Sequence, residues 1–215
     1  YRSSEKTLLR VNSFRQHHIS KEIQDSIINY LERQVKKLDL LIFSDFNYGV
    51  LPQSLVDRII NICQANNIFI SADSQCSSQV GDISRFKNTM LLTPTEREAR
   101  LAVNNFESGL VVMAESLRKK AISENIIVTL GSEGLIIHAG RGDEFETDQL
   151  PAFNKSPKDP AGAGDAFLVC SSIMMAKGKT IWEAAYLGSI ASSLQVARIG
   201  NTPLLLKELK SELSK

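Results

Sequence analysis

Apolar runs that stop on an acid, separated by segments of helical period, restrict this chain to few folds. "LDLLIFSD" (38–45) and "IFISAD" (68–73) are two such runs, ending on Asp45 and Asp73. Between them "LPQSLVDRIINICQANN" (51–67) repeats its apolar residues at helical spacing, with Pro52 near the first helical position. The pattern continues: "TMLLTP" (89–94) reads as a strand stopped by Pro94, and helices follow over 95–105 and about 109–124. "NIIVTLGSEGLIIHAG" (125–140) reads as strand, Gly turn, strand, and 141–164 as loop-rich with one short strand. Helices are expected over 165–177, 180–198 and 203–213. Near the start, "TLLRVNSF" (7–14) is a strand candidate, and Ser20 caps a helix carried by Ile23, Ile27, Leu31, Val35 and Leu38.

Strands alternating with helices imply an α/β domain with a mostly parallel sheet covered on both faces. No repeat or linker divides it. In such sheets ligands sit beyond the carboxyl ends of the strands. Asp45, Asp73, Thr93 and Thr129 all fall at or just past those ends, so one rim is expected to gather them.

Composition narrows the partners. A net charge of +1 supplies no basic field for nucleic acid or an anionic membrane. No apolar run approaches the ~20 residues of a membrane span. Cys63, Cys76 and Cys170 form neither a CxxC pair nor a zinc spacing, which points to a reducing cytoplasm.

"KDPAGAGDAFLVCSSIMM" (158–175) carries the chemistry. Gly162, Ala163 and Gly164 leave backbone N–H groups open to a ligand, and a helix starting near Gly164–Asp165 adds partial positive charge, which together suit phosphate. Asp165 can then accept a proton from a hydroxyl while those N–H groups hold the phosphoryl group in flight. On spacing alone the same residues serve equally as a helix-capping acid behind a plain turn. A Walker A loop would need Gly-Lys-Ser/Thr where Asp165-Ala166 follows Gly164, and a Rossmann fingerprint would need Gly where Phe167 stands.

"DPAGAGDAF" (159–167) resembles the C-terminal signature of the ribokinase-like, or PfkB, carbohydrate kinases. "SDFNYGVL" (44–51), "SADSQCSSQVGDISRFKNTMLLTPTEREA", "IIVTLGSEGLII" and "LGSIASSLQVARIGNTPLLLKEL" resemble further stretches of that family in the right order, nearest to its heptose-phosphate kinase branch. The resemblance runs from about residue 5 to residue 210. It implies a three-layer α/β/α sandwich and a kinase using ATP and Mg2+, with a sugar or sugar phosphate as acceptor. Asp165 would be the base, and Gly162, Ala163 and Gly164 the anion hole. Asp159 would lie near the phosphates and a monovalent cation, and Glu98 would organise magnesium. Thr129 and Gly131 would border the nucleotide phosphates and ribose, Ser189 and Gly200 the adenine, and Asp45 and Asp73 the acceptor. Each has a plainer role open to it: Glu98 as an exposed helix acid, Thr129 as a strand residue, Gly200 as a helix C-cap.

The chain departs from the family at several points. Thr95 stands where the family's Asn-x-x-Glu motif has Asn, Ser189 replaces an Asn, Tyr48 replaces a Lys, and Ser74-Gln75 replace Pro-Lys. The family's longer N-terminal region has no counterpart here, so the chain is expected to be one partial domain over 1–215, N-terminally truncated, with 1–15 a remnant of the lid and substrate side. A sheet so shortened exposes an edge that a partner chain, such as a second copy in a homodimer, would cover. The rival expectations are a non-catalytic kinase-fold module and, against the failed fingerprint, a dinucleotide-dependent oxidoreductase.

Overall fold

The computed structural model describes residues 17–76, 81–154, 156–200 and 202–214. The expected strand at 7–14 and the lid remnant at 1–15 lie outside them.

Six strands form one sheet whose order in space is their order in the chain. β1 (Leu40–Asp45), β2 (Phe69–Ser74), β3 (Leu91–Leu92) and β4 (Asn125–Thr129) run parallel, and β5 (Leu135–Arg141) and β6 (Glu144–Leu150) complete the sheet antiparallel. Helices α1 (Lys21–Gln34), α2 (Gln53–Ala65), α3 (Glu96–Val103) and α4 (Leu110–Ala121) cover one face, and α5 (Ala163–Ala176) and α6 (Ile181–Val196) the other, with α7 (Leu206–Leu213) against α6. Strand alternation assigns the layers. Leu92, Ile126 and Val128 join Leu55, Ala99 and Leu117 in one core, whereas Leu91 and Ile127 join Phe167, Ile181 and Ala185 in the other. The expected three-layer sandwich is therefore the fold.

Local signals explain where elements begin. Ser20 accepts from the Ile23 N–H and opens α1. Thr95 opens α3 and Thr180 opens α6, each in a capping box with the Glu three residues on. Pro52 is the residue just before α2 rather than its first, which suits a residue with no N–H. α5 starts two residues earlier than expected, because Gly162, at φ 78°, turns the chain and lets Ala163 and Gly164 enter the first turn. β6 is longer than its sequence suggests; six of its seven residues are exposed, so the segment carries no buried face to betray a strand.

α5 and α6 pack closely. A Cβ on Gly188 would fall 2.2 Å from Ser171 Oγ, and Ser171 donates to the Ala184 carbonyl across the pair. Ser172 donates to Ser71 Oγ at 2.6 Å and pins α5 to β2. These contacts fix the start of α5 over the carboxyl ends of the parallel strands. β1 pairs with β2 on one side, and no described strand pairs with its other side.

Candidate active site

The parallel strands bring the acids to one rim, as expected. In the register of the first pair Ser44 faces Asp73 and Asp45 faces Ser74, so both acids leave the sheet at the same end. Thr129 ends β4 and bridges to Thr95, its N–H donating to the Pro94 carbonyl at 2.8 Å.

Beside this rim is a cavity of about 370 Å³, within the range of small-molecule sites. Thr95, Thr129, Gly131, Ala163, Gly164 and Ser189 line it together, which assembles five of the expected nucleotide and anion-hole residues from three regions of sequence. Phe153, Asn154, Ser192, Ser193 and Val196 also line it and were not foreseen. The segment holding Phe153 and Asn154 shows no periodicity; Asn154 is brought in by a bond to the Ser193 carbonyl, and Phe153 rests edge-on against Tyr186. Among larger depressions, those of about 520 and 540 Å³ lie at the opposite end of the strands around Glu124 and Gly140, one of about 420 Å³ lies by Trp182, and one of about 460 Å³ beside β1 is lined by Asp45 and Tyr48.

The start of α5 has the electrostatics of an anion site. Gly162 is its N-cap, so Asp165 stands in the first turn and is not the cap. Ala163 N–H donates to the Pro160 carbonyl at 3.2 Å, whereas the N–H groups of Gly164 and Asp165 bond no acceptor among the described residues. A Cβ on Gly164 would meet no atom within 4 Å, so nothing in the protein's own packing requires glycine there. The Asp165 carboxylate is partly exposed and receives no hydrogen bond among the described residues.

The other acids differ in how fully they are paired. Asp45 accepts from Asn47 N–H, Ser74 Oγ and, at 2.7 Å, the Arg85 guanidinium, so its charge is met inside the protein. Arg85 lies 40 positions along the chain, and no local pattern announces it. Glu98 is buried rather than exposed: its Oε2 accepts from Thr95 N–H and Oγ1, and its Oε1 from Cys76 N–H. Thr95, in place of Asn, thus keeps the helix cap. Asp73 is 7% exposed, and its Oδ1 has no hydrogen-bond partner among the described residues. Burial, then the neighbouring Glu98, push its carboxyl up to about 7; the Ser74 N–H pulls the other way, and Asp165 and Asp45 add to the rise.

Asp159 and Gly200 stand behind the cavity, outside its lining. Asp159 Oδ1 accepts from Ala161 N–H and Oδ2 from Gly200 N–H, each at 3.0 Å. Gly200 is not the C-cap of α6, a place held by Ala197.

Open helix N–H groups beside a cavity at the rim of a parallel sheet are an arrangement suited to an anion. Residues 9–207 match the pfkB family of carbohydrate kinases, and the chain belongs to that family. Among curated relatives it is similar to the bifunctional protein HldE of Nitratiruptor sp., 28% identical over 211 residues that cover 97% of this chain and 43% of the relative. HldE of Desulfatibacillum aliphaticivorans is 28% identical over 96% of this chain and 41% of the relative. The chain therefore spans less than half the length of these relatives. Among solved structures, Escherichia coli phosphofructokinase-2 in complex with potassium superposes with a TM-score of 0.74 at 16% identity, over 92% of this chain and 64% of that one. Arabidopsis thaliana ribokinase complexed with ribose and ATP gives 0.66 at 17% identity, over 94% and 60%. No helix among the described residues is long and apolar enough to cross a membrane.

Proposed function

We propose that this chain is the nucleotide-binding part of an ATP-dependent carbohydrate kinase that phosphorylates a hydroxyl of a sugar or sugar phosphate. The observation that carries the reading is the junction at Gly164–Asp165: two helix N–H groups and a carboxylate without a bond among the described residues, at Gly164, which lines the cavity, and at Asp165, next to it in the chain and outside that lining. Asp165 takes the proton of the acceptor hydroxyl. The freed oxygen attacks the γ-phosphorus, and the bond from that phosphorus to the bridging oxygen breaks, its electron pair leaving with ADP. The N–H groups of Gly164 and Asp165 carry the charge on the phosphoryl oxygens. Ala163 contributes as part of the wall, and Gly162 by placing the turn. Thr129, Gly131 and Ser189 border the nucleotide.

Magnesium supplies charge neutralisation to the phosphates when bound. Among the described residues no three acids, histidines or cysteines stand close enough to cage a metal. That agrees with an ion held by phosphate and water and only one or two carboxylates. Asp73 through its unpartnered Oδ1, and Glu98 through the lone pair its three donors leave, are the residues that would face it. Asp73 and Asp45 border the acceptor side, Asp45 by holding Arg85 in place. Three free cysteines fit a cytoplasmic setting. The single partial domain over 1–215 is part of the same reading, as is a homodimer that covers β1.

A second reading, nucleotide binding without turnover, is favoured by the full internal pairing of Asp45. Calorimetric titration with Mg-ATP, with NAD as control, tests both. Saturable ATP binding with none for NAD is expected. Equal binding of both, or of neither, removes the nucleotide assignment, and ATP binding by a full-length parent that turns over no sugar leaves the second reading.

A further inference from the structure

Behind the anion loop, the oxygens of Asp159, Ala161, Val196 and Gly200 each already accept from an N–H donor. Asp159 spends one carboxylate oxygen on Ala161 N–H and the other on Gly200 N–H. The Val196 carbonyl at the end of α6 accepts from the N–H groups of Lys158 and Asp159. The carbonyls of Ala161 and Gly200 converge on one side-chain nitrogen, Nε2 of Gln195, at 3.1 and 3.2 Å. Gly200 carbonyl accepts from Thr202 N–H as well. Gln195 is 2% exposed and reaches this point from the last turn of α6. Two carbonyl acceptors fix which end of its amide is nitrogen, because only the NH2 group has two hydrogens to give. With Nε2 of Gln195 seated between the Ala161 and Gly200 carbonyls, the point at which a potassium ion would take both as ligands is already filled, and the residues there do not fit the ion.

We infer that the Gln195 amide takes the place of a monovalent cation, tying the 159–164 loop to the turn at Gly200 so that the anion site is set without added potassium. Both tasks are the same electrostatically: a positive pole between two carbonyl oxygens, of which Ala161 has no other donor among the described residues and Gly200 has only the Thr202 N–H besides. Gln195 is a positioning residue that acts through Ala161 on the Gly162–Gly164 turn. The inference rests on the nucleotide reading only where ATP affinity is the readout.

The test uses the 215-residue chain in potassium chloride and in tetramethylammonium chloride at matched ionic strength. Thermal midpoint is measured first and Mg-ATP affinity second, for the wild type, Gln195→Ala and Gln195→Lys. The wild type is expected to have the same midpoint and the same ATP affinity in both salts. Gln195→Ala loses two part-buried bonds and is expected to bind ATP about tenfold more weakly without potassium. Potassium should restore most of that affinity and of the midpoint. Gln195→Lys carries its own cation and should ignore the salt, as the wild type does. A wild-type midpoint or affinity that rises in potassium overturns the inference even if no variant folds. So does a Gln195→Ala variant that is weakened equally in both salts, since a mere brace would give that result. If the wild type binds no ATP in either salt the nucleotide reading falls, and the midpoints of the three proteins still decide this one.

Discussion

Asp165, Gly164 and Asp73 each hold a feature that the fold alone does not need. Asp165 in its first helical turn receives no hydrogen bond among the described residues, and the proposed reading gives it to the acceptor hydroxyl. Asp165→Asn, in an active form of the enzyme, should lower turnover by about 10²- to 10⁴-fold while leaving ATP affinity nearly unchanged; equal loss of both in steady-state and binding assays would remove it as the base. Gly164 has room for a side chain and sits inside a helix, where Ala in place of Gly adds roughly 0.5–1 kcal/mol. Gly164→Ala should therefore raise the urea midpoint and weaken Mg-ATP binding in the same protein, and a variant more stable with unchanged affinity would mean that phosphate does not approach there. Asp73 runs against the usual carboxylate. Its folded value, raised from 3.8 to about 7, means the folded chain keeps a proton that the unfolded chain gives up across that interval. Stability should fall as pH rises from about 4 through 7. Asp73→Asn should flatten that slope and be the more stable protein at pH 8, as urea melts at several pH values would show.

Strand and helix types were largely legible, since runs such as "LLIFSD" and "IFISAD" have only one way to be buried. The capping boxes at Thr95 and Thr180 are legible too, but not that the Glu98 carboxylate also takes the Cys76 N–H from a distant loop, which buries it. β6 was hard to see because its charged residues face water, and Arg85 was missed because its partner Asp45 belongs to a distant strand. Asn67, Asn88 and Asn104 take left-handed conformations that their side chains tolerate. Ile122, at the end of α4, does so at φ 54° with a branched side chain that is 63% exposed. Left-handed backbone costs such a residue roughly 1–2 kcal/mol, and glycine is its usual occupant. Ile122→Gly should thus gain up to about 1 kcal/mol after glycine's greater unfolded-state freedom is subtracted. A lower urea midpoint for that variant would show that the Ile122 side chain contributes packing that its exposure conceals.

At the scale of the molecule, the sheet's spatial order is its sequence order, while the site draws its last pieces from the far end of the chain. Ala163, Gly164 and Ser189 belong to α5 and α6, which lie on the face opposite α1–α4. The two faces are thus made by different halves of the polypeptide. Trp182, the only tryptophan, is in α6 and reports on the later half. In refolding, Trp182 fluorescence should trail the far-UV circular dichroism of the sheet and first helices; a single shared phase would mean that both layers condense together. The same ordering bears on synthesis. A chain leaving the ribosome can pair each strand with the one before it as soon as that strand emerges. One face of the sheet stays bare until α5 and α6 arrive, so the growing chain passes through a half-clad and sticky intermediate.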